Sequence, residues 1–311
     1  MVSALPGEAP AVAAASSMSV YRIAIFGSRG RLGSALKNRW SGSHDVVGFA
    51  RPELDLLRPE TIRACFEQGP FDWVVNCAAS TNVDACEIDP ETAFAANETA
   101  PRKIAAQCQA SGSRLIHIST DYVFDGTKAG PYTEDDLPSP LSIYGQSKAA
   151  GDTAVQETAP DAIIARVSWV FGPEKPSFID AILKTASTKS DAAAVADKWS
   201  NPTYTSDVAD WLFALIENRA PGGIYHLCNA GGCTWRDYGE HALQCAAAAG
   251  MDLKTTSVAP IRMADISAFV ARRPVNTVMT CEKFTSVTGI RPRAWEDAVK
   301  EYVESVIAQG A

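Results

Sequence analysis

No apolar run in this chain approaches the roughly 20 residues that a membrane-crossing helix needs, so a membrane-spanning protein is not expected. Basic residues are in the minority. Lys and Arg number 28 against 36 Asp and Glu, a net charge of −8. Attraction of the whole surface to nucleic acid or anionic lipid is therefore not expected, and a phosphate ligand must be held by a local cluster. The eight cysteines include no C-x-x-C pair, and none stands at zinc-ligand spacing from the four histidines, so no metal site is expected. They read as reduced thiols of a cytoplasmic protein. The first twenty residues are rich in Ala, Ser and Pro and lack the basic stretch and apolar run of a secretory signal. Residues 1–20 read as a flexible tail, with Met18 as an alternative start.

What is present is ordinary globular material. The 311 residues are 46% apolar and 21% charged, which excludes wholesale disorder and suits a large α/β domain with a smaller lobe. Residues 21–26 form a short apolar run that ends at Gly27 and reads as a buried strand. Further strands are expected over 45–50, 73–76, 115–119 and 163–169. Helices are expected over 34–40, 59–68, 90–111 and 147–157. Strand and helix thus alternate about every 25 residues, the rhythm of a doubly wound parallel sheet of the Rossmann type. After residue 170 the rhythm loosens, with helices near 177–188, 207–218, 236–249 and 294–308 and a short extended piece at 224–227. The expected organisation is a dinucleotide-binding domain over 21–170 and a mainly substrate-binding lobe over 171–311, some of whose segments return to the core.

Gly27, Gly30 and Gly33 have the spacing G-x-x-G-x-x-G, between the first strand and the first helix. Glycines there allow a tight turn and close approach of a pyrophosphate, and the helix N-terminus supplies N–H groups and positive potential. Leu32 belongs to the same loop. The second strand ends at Arg51, where an NAD-preferring site usually carries an acidic residue. Arg29, Arg31 and Arg51 suit the 2′-phosphate of NADPH, with NADH as the alternative. Asp55 and Leu56 follow, and Asp55 is placed to accept from an adenine amino group. Cys77, Ala78 and Ala79 are small residues after a strand, over which a cofactor can lie.

Tyr144 and Lys148 are four residues apart, in Tyr144-Gly-Gln-Ser-Lys148, and so share a helix face. A nearby ammonium is expected to lower the tyrosine pKa towards neutrality, and such a tyrosine can give a proton to a ketone oxygen as hydride reaches its carbon. Thr120 ends a strand and offers a hydroxyl to the same carbonyl.

With these residues in hand, the chain resembles the extended short-chain dehydrogenases/reductases, and within them the dTDP-4-dehydrorhamnose reductase family. The resemblance spans nearly all of 21–308. It rests on Ser119-Thr-Asp-Tyr-Val-Phe-Asp-Gly126, Pro140-Leu-Ser-Ile-Tyr-Gly-Gln-Ser-Lys148, Arg166-Val-Ser-Trp-Val-Phe-Gly172 and Ala271-Arg-Arg-Pro274, with Val83, Asp84 and Asn97. It implies NADPH-dependent reduction of the C4 ketone of a nucleotide-linked sugar, with Thr120, Tyr144 and Lys148 as catalytic residues. Asn97 is assigned by it to the cofactor. Asp121, Tyr122 and Trp169 match positions that line the sugar pocket, and Arg273 with Arg272 is assigned to the nucleotide diphosphate. A homodimer is compatible with it.

The chain also departs from the family. Where the family often reads Asp-Gln-x-Gly-x-Pro-Thr, this chain has Asp197-Lys-Trp-Ser-Asn-Pro-Thr203, so Lys198 and Ser200 break the pattern. Ser177 replaces an asparagine, and Ala35 stands where some relatives carry a metal-binding glutamate. Two further readings remain at this level. One is a reductase or epimerase for another nucleotide sugar. The other is a non-catalytic NADP-binding regulatory subunit, like the β-subunit of methionine adenosyltransferase.

Overall fold

In the computed structural model, which describes residues 19–308, six parallel strands make the main sheet. They are β1 (Arg22–Phe26), β2 (Asp45–Phe49), β3 (Trp73–Asn76), β4 (Arg114–Thr120), β5 (Ile163–Val167) and the strand Gly223–His226. Their spatial order is Gly223–His226, β5, β4, β3, β1, β2. The expected tail falls, except for its last two residues, outside the described part of the chain.

The inner strands are almost wholly apolar because helices cover both faces. On one face Ile23, Ile25, Val75, Ile116 and Ala165 pack against helix α1 (Arg31–Trp40) and against Thr205–Glu217. On the other, Ala24, Phe26, Val74, Leu115 and Ile164 meet α2 (Pro59–Phe66) and the helix Ala100–Ser111. A second core lies apart, where Phe171, Ile182, Tyr204, Tyr238, Trp295 and Tyr302 bring together the helices Phe178–Thr188, Trp235–Ala248 and Trp295–Ala308. After β5 the chain enters this second core, returns for Thr205–Glu217 and the sixth strand, and leaves again.

Two expectations need correction. The helix expected over 90–111 runs as Pro90–Phe94, a π-helical turn Ala95–Thr99, and Ala100–Ser111. Pro101 has no N–H for the Asn97 carbonyl, so the regular bonding is interrupted there. That carbonyl lies where a Cβ on Gly151 would stand, 2.0 Å from it, so the next long helix can pass closely only because residue 151 is glycine. Second, the helix Glu282–Thr288 was not foreseen. It is short, but Phe284 is buried against Trp211.

The strand order reverses at β1. The chain goes from β1 outward to β2, then crosses to β3 on the far side. In open α/β sheets the crevice at the carboxyl ends beside such a reversal is where ligands bind.

Candidate active site

A cavity of about 980 Å³ opens at this point. Its walls come from the segments that follow β1, β2, β3, β4 and β5, and from the helix Ile143–Thr158.

The floor is the glycine loop. Gly27 has φ +83°, and a Cβ there would lie 2.8 Å from the Ala78 nitrogen, so glycine is needed both for the turn and for its approach to the β3 loop. Gly30 donates its N–H to the Gly27 carbonyl at 2.8 Å, closing the turn just before α1. Gly33 does not line the cavity. A Cβ on it would meet the Gly27 carbonyl at 2.3 Å, so its role is to let α1 pack on the loop.

The arginines divide. Arg29 and Arg51 are exposed at the rim, and the Arg29 guanidinium donates to the Arg51 carbonyl at 3.2 Å. Arg31 also lines the cavity, but its guanidinium is engaged with three carbonyls: Val170 at 3.0 Å, Pro176 at 2.6 Å and Lys175 at 3.4 Å. It fastens the 170–176 segment over α1 in this structure. Lys175, on that segment, lines the cavity and was missed by the sequence reading. Leu32, Asp55, Leu56, Cys77, Ala78 and Ala79 are all at the wall. One Asp55 oxygen accepts from the Leu57 N–H at 3.1 Å. Burial pushes the Cys77 thiol up to about 12, so it is a neutral packing group.

Asn97 is fully buried and does not reach the cavity. It holds the β3 loop from behind. Its carbonyl oxygen accepts from the Ser80 N–H at 2.8 Å, and its amide donates to the Ser80 carbonyl at 2.9 Å and the Ser147 hydroxyl at 3.0 Å.

Thr120, Tyr144 and Lys148 meet at the centre of the cavity wall. Ser142 caps the Ile143–Thr158 helix by accepting from the Gly145 N–H at 3.2 Å, which puts Tyr144 in the first turn and Lys148 one turn on. Tyr144 is 8% exposed. Burial raises its pKa, while the Thr120 hydroxyl beside it acts in the opposite direction. Burial thus favours the protonated form of Tyr144, the form a general acid requires.

Lys148 is 2% exposed, and burial lowers its pKa from 10.5 to about 8, against the charge of Asp152. Its ammonium donates to the Ile118 carbonyl at 2.7 Å and faces His117 Nε2 at 3.2 Å. His117 in turn meets the Asn76 amide at 3.1 Å. Burial and Lys148 push His117 well below its ordinary range, so it is neutral. Asp152 pairs with Arg166 at 3.2 Å in the interior. Asn76, His117 and Arg166 are polar side chains inside otherwise apolar strands, a signal present in the sequence but not used.

Of the expected sugar-site residues, Tyr122 and Trp169 present aromatic rings at the cavity, and Tyr122 stands edge-on to Tyr144 at 5.6 Å. Asp121 is also at the wall but only 2% exposed, and both its oxygens are taken by hydroxyls: Thr120 at 3.1 Å, Ser200 at 2.9 Å and Thr277 at 2.5 Å. Arg273 lies outside the cavity. It makes a two-pronged ion pair with Asp84, at 2.6 and 3.1 Å, and lies over the Phe269 ring. That guanidinium is engaged with Asp84 in this structure.

Comparison with known proteins agrees with this geometry. The family described as RmlD substrate binding domain matches residues 21–307. The chain is 35% identical to a dTDP-4-dehydrorhamnose reductase of Burkholderia thailandensis over 300 residues, covering 93% of this chain and all of that one. It is 33% identical to a probable dTDP-4,6-dihydroxy-2-methyloxan-3-one 4-ketoreductase of Streptomyces antibioticus, covering 91% and 95%. A crystal structure of dTDP-4-dehydrorhamnose reductase from Bacillus anthracis in complex with NADP superimposes with a TM-score of 0.84 at 28% identity, covering 91% and 99%. The chain belongs to the RmlD family of extended short-chain dehydrogenases/reductases.

Proposed function

We propose that this chain is an NADPH-dependent reductase of the C4 ketone of a nucleotide-linked 4-keto-6-deoxy sugar, acting on dTDP-4-dehydro-L-rhamnose to give dTDP-L-rhamnose. The observation that carries the reading is the meeting of Thr120, Tyr144 and Lys148 with the glycine loop in a single cavity. The named relatives and the NADP complex support the same substrate and cofactor. The tight turn at Gly27, with its backbone at the cavity wall, fits a pyrophosphate, and Arg29 and Arg51 fit a 2′-phosphate.

NADPH, when bound, supplies the hydride. The residues of this chain do the rest. Tyr144, kept protonated by burial, gives its proton to the C4 oxygen. Lys148 is anchored by Ile118 and His117, and its charge stabilises the phenolate left behind. Thr120 sets the direction of the Tyr144 hydroxyl. Tyr122 and Trp169 cover the apolar side of the sugar and exclude water. The likeness to the S. antibioticus ketoreductase favours a second reading, a related dTDP-sugar ketone as substrate. A cytoplasmic location and a homodimer are compatible with the same reading.

The test is loss of NADPH absorbance with dTDP-4-dehydro-L-rhamnose made in place, with blanks that lack each component. Substrate-dependent oxidation is the expected result. Tight NADPH binding without turnover on any nucleotide-linked 4-keto sugar contradicts the reading.

A further inference from the structure

The sequence departs from its family at Lys198 and Ser200, and the structure brings Ser200 onto Asp121 and Lys198 beside the neighbouring Tyr122 ring. Asp121 is a buried carboxylate directly beside Thr120. Ser200 donates to its Oδ2 at 2.9 Å and Thr277 at 2.5 Å, while Thr120 donates to Oδ1 at 3.1 Å. Ser168 stands 2.5 Å from Ser200, so with the Ser200 proton given to Asp121, Ser168 supplies the next one. Ser200 and Thr277 are fully buried, and Lys198 is 1% exposed.

Lys198 is buried close by. Its ammonium donates to the Pro274 carbonyl at 2.7 Å and stands 5.0 Å from the Tyr122 ring and 6.0 Å from the Trp169 ring; burial lowers its pKa to about 8, against the charge of Asp121. A buried carboxylate without hydrogen-bond partners is costly, and one held by three hydroxyls has a single orientation. Because Thr120 gives its proton to Asp121, its oxygen is left to accept from the Tyr122 N–H, at 3.2 Å, and it shares the cavity wall with Tyr144.

We propose that Asp121, held by Ser200 and Thr277 with the Lys198 cation nearby, is a positioning residue that fixes the Thr120 hydroxyl beside Tyr144, rather than a group that binds the sugar. The proposal deepens the ketoreductase reading and rests on it. Lys198 has a second effect, since its charge lies behind the two aromatic rings of the sugar wall and holds them in place.

The test uses the full chain with Asp121→Asn, Lys198→Gln, the double variant and the near-isosteric Thr277→Val. NADPH binding is measured first and is expected to be unchanged in each. In the reductase assay each single substitution is expected to lower kcat about tenfold or more, with KM changed less than about threefold. The double variant is expected to be no worse than the poorer single one, because Lys198→Gln harms mainly by leaving the carboxylate uncompensated. Thr277→Ser is expected to restore what Thr277→Val loses. A raised KM with kcat retained in Asp121→Asn would mean that Asp121 binds sugar directly and would overturn the proposal. So would additive losses. Crystal structures of Asp121→Asn and Thr277→Val give a readout independent of turnover: the Thr120 side chain is expected to leave its present rotamer, and an unchanged rotamer in both overturns the proposal. No turnover by the unsubstituted chain would instead count against the ketoreductase reading, and the Thr120 rotamer would still decide this one.

Discussion

The two ends of the cavity are built from different material. At the glycine-loop end, the wall is backbone: Gly27, Gly30 and Ala78 approach one another because side chains are missing. At the Thr120 end, the wall is side chain, and its hydrogen bonds join residues 121, 200 and 277. The first end needs space and N–H groups, so it tolerates little added volume and is indifferent to charge behind it. The second end needs direction, so it depends on buried charge and on hydroxyl protons supplied from distant segments. Added volume should therefore damage the first end, and lost polarity the second.

Tyr144→Phe should have the largest effect. Loss of the general acid is expected to lower kcat by about a hundredfold to ten-thousandfold while NADPH affinity stays unchanged, as measured by turnover and by titration of cofactor fluorescence. Retained turnover would show that the side-chain end is not where the proton comes from.

The pH profile comes next. Burial lowers Lys148 to about 8, so its charge is present below that pH and lost above it. The reduction rate is expected to fall as pH rises through about 8, approaching about tenfold per unit beyond. A rate independent of pH across that range would mean that the Lys148 charge is not required.

Gly33→Ala probes the backbone end. The added Cβ would lie 2.3 Å from the Gly27 carbonyl, so α1 must shift. We expect a loss of about 1–3 kcal/mol in unfolding free energy, read by urea denaturation, together with weaker NADPH binding. An unchanged cofactor affinity would separate helix packing from the loop.

The smallest effect is at the rim. Arg51→Ala is expected to weaken NADPH by about tenfold with little change for NADH, since a single exposed charge-assisted contact is lost. Isothermal titration with both cofactors checks this, and equal losses would remove Arg51 from 2′-phosphate recognition.

The same contrast explains what could be read in the sequence. The glycine loop and the Tyr144–Lys148 pair are local, so spacing alone places them. The Rossmann rhythm is likewise local, and five of the main strands were found from short apolar runs. The side-chain end is not local. Nothing in the spacing of Asp121, Ser200 and Thr277 reveals that their oxygens meet, and nothing near Arg273 reveals its partner, Asp84, which lies nearly two hundred residues away. The contacts of Arg31 are hidden from the sequence for the same reason, since its acceptors are carbonyls of a segment about 140 residues on. The π-helical turn at Ala95–Thr99 was missed although its cause, Pro101, stands in the sequence.

The most direct test of the central claim follows the hydride. With NADPH deuterated at the transferred position and dTDP-4-dehydro-L-rhamnose, mass spectrometry and NMR of the product report where the label goes. The account predicts dTDP-L-rhamnose carrying deuterium at C4, and no labelled product from Tyr144→Phe. Labelled cofactor that binds but transfers nothing to the sugar would contradict it.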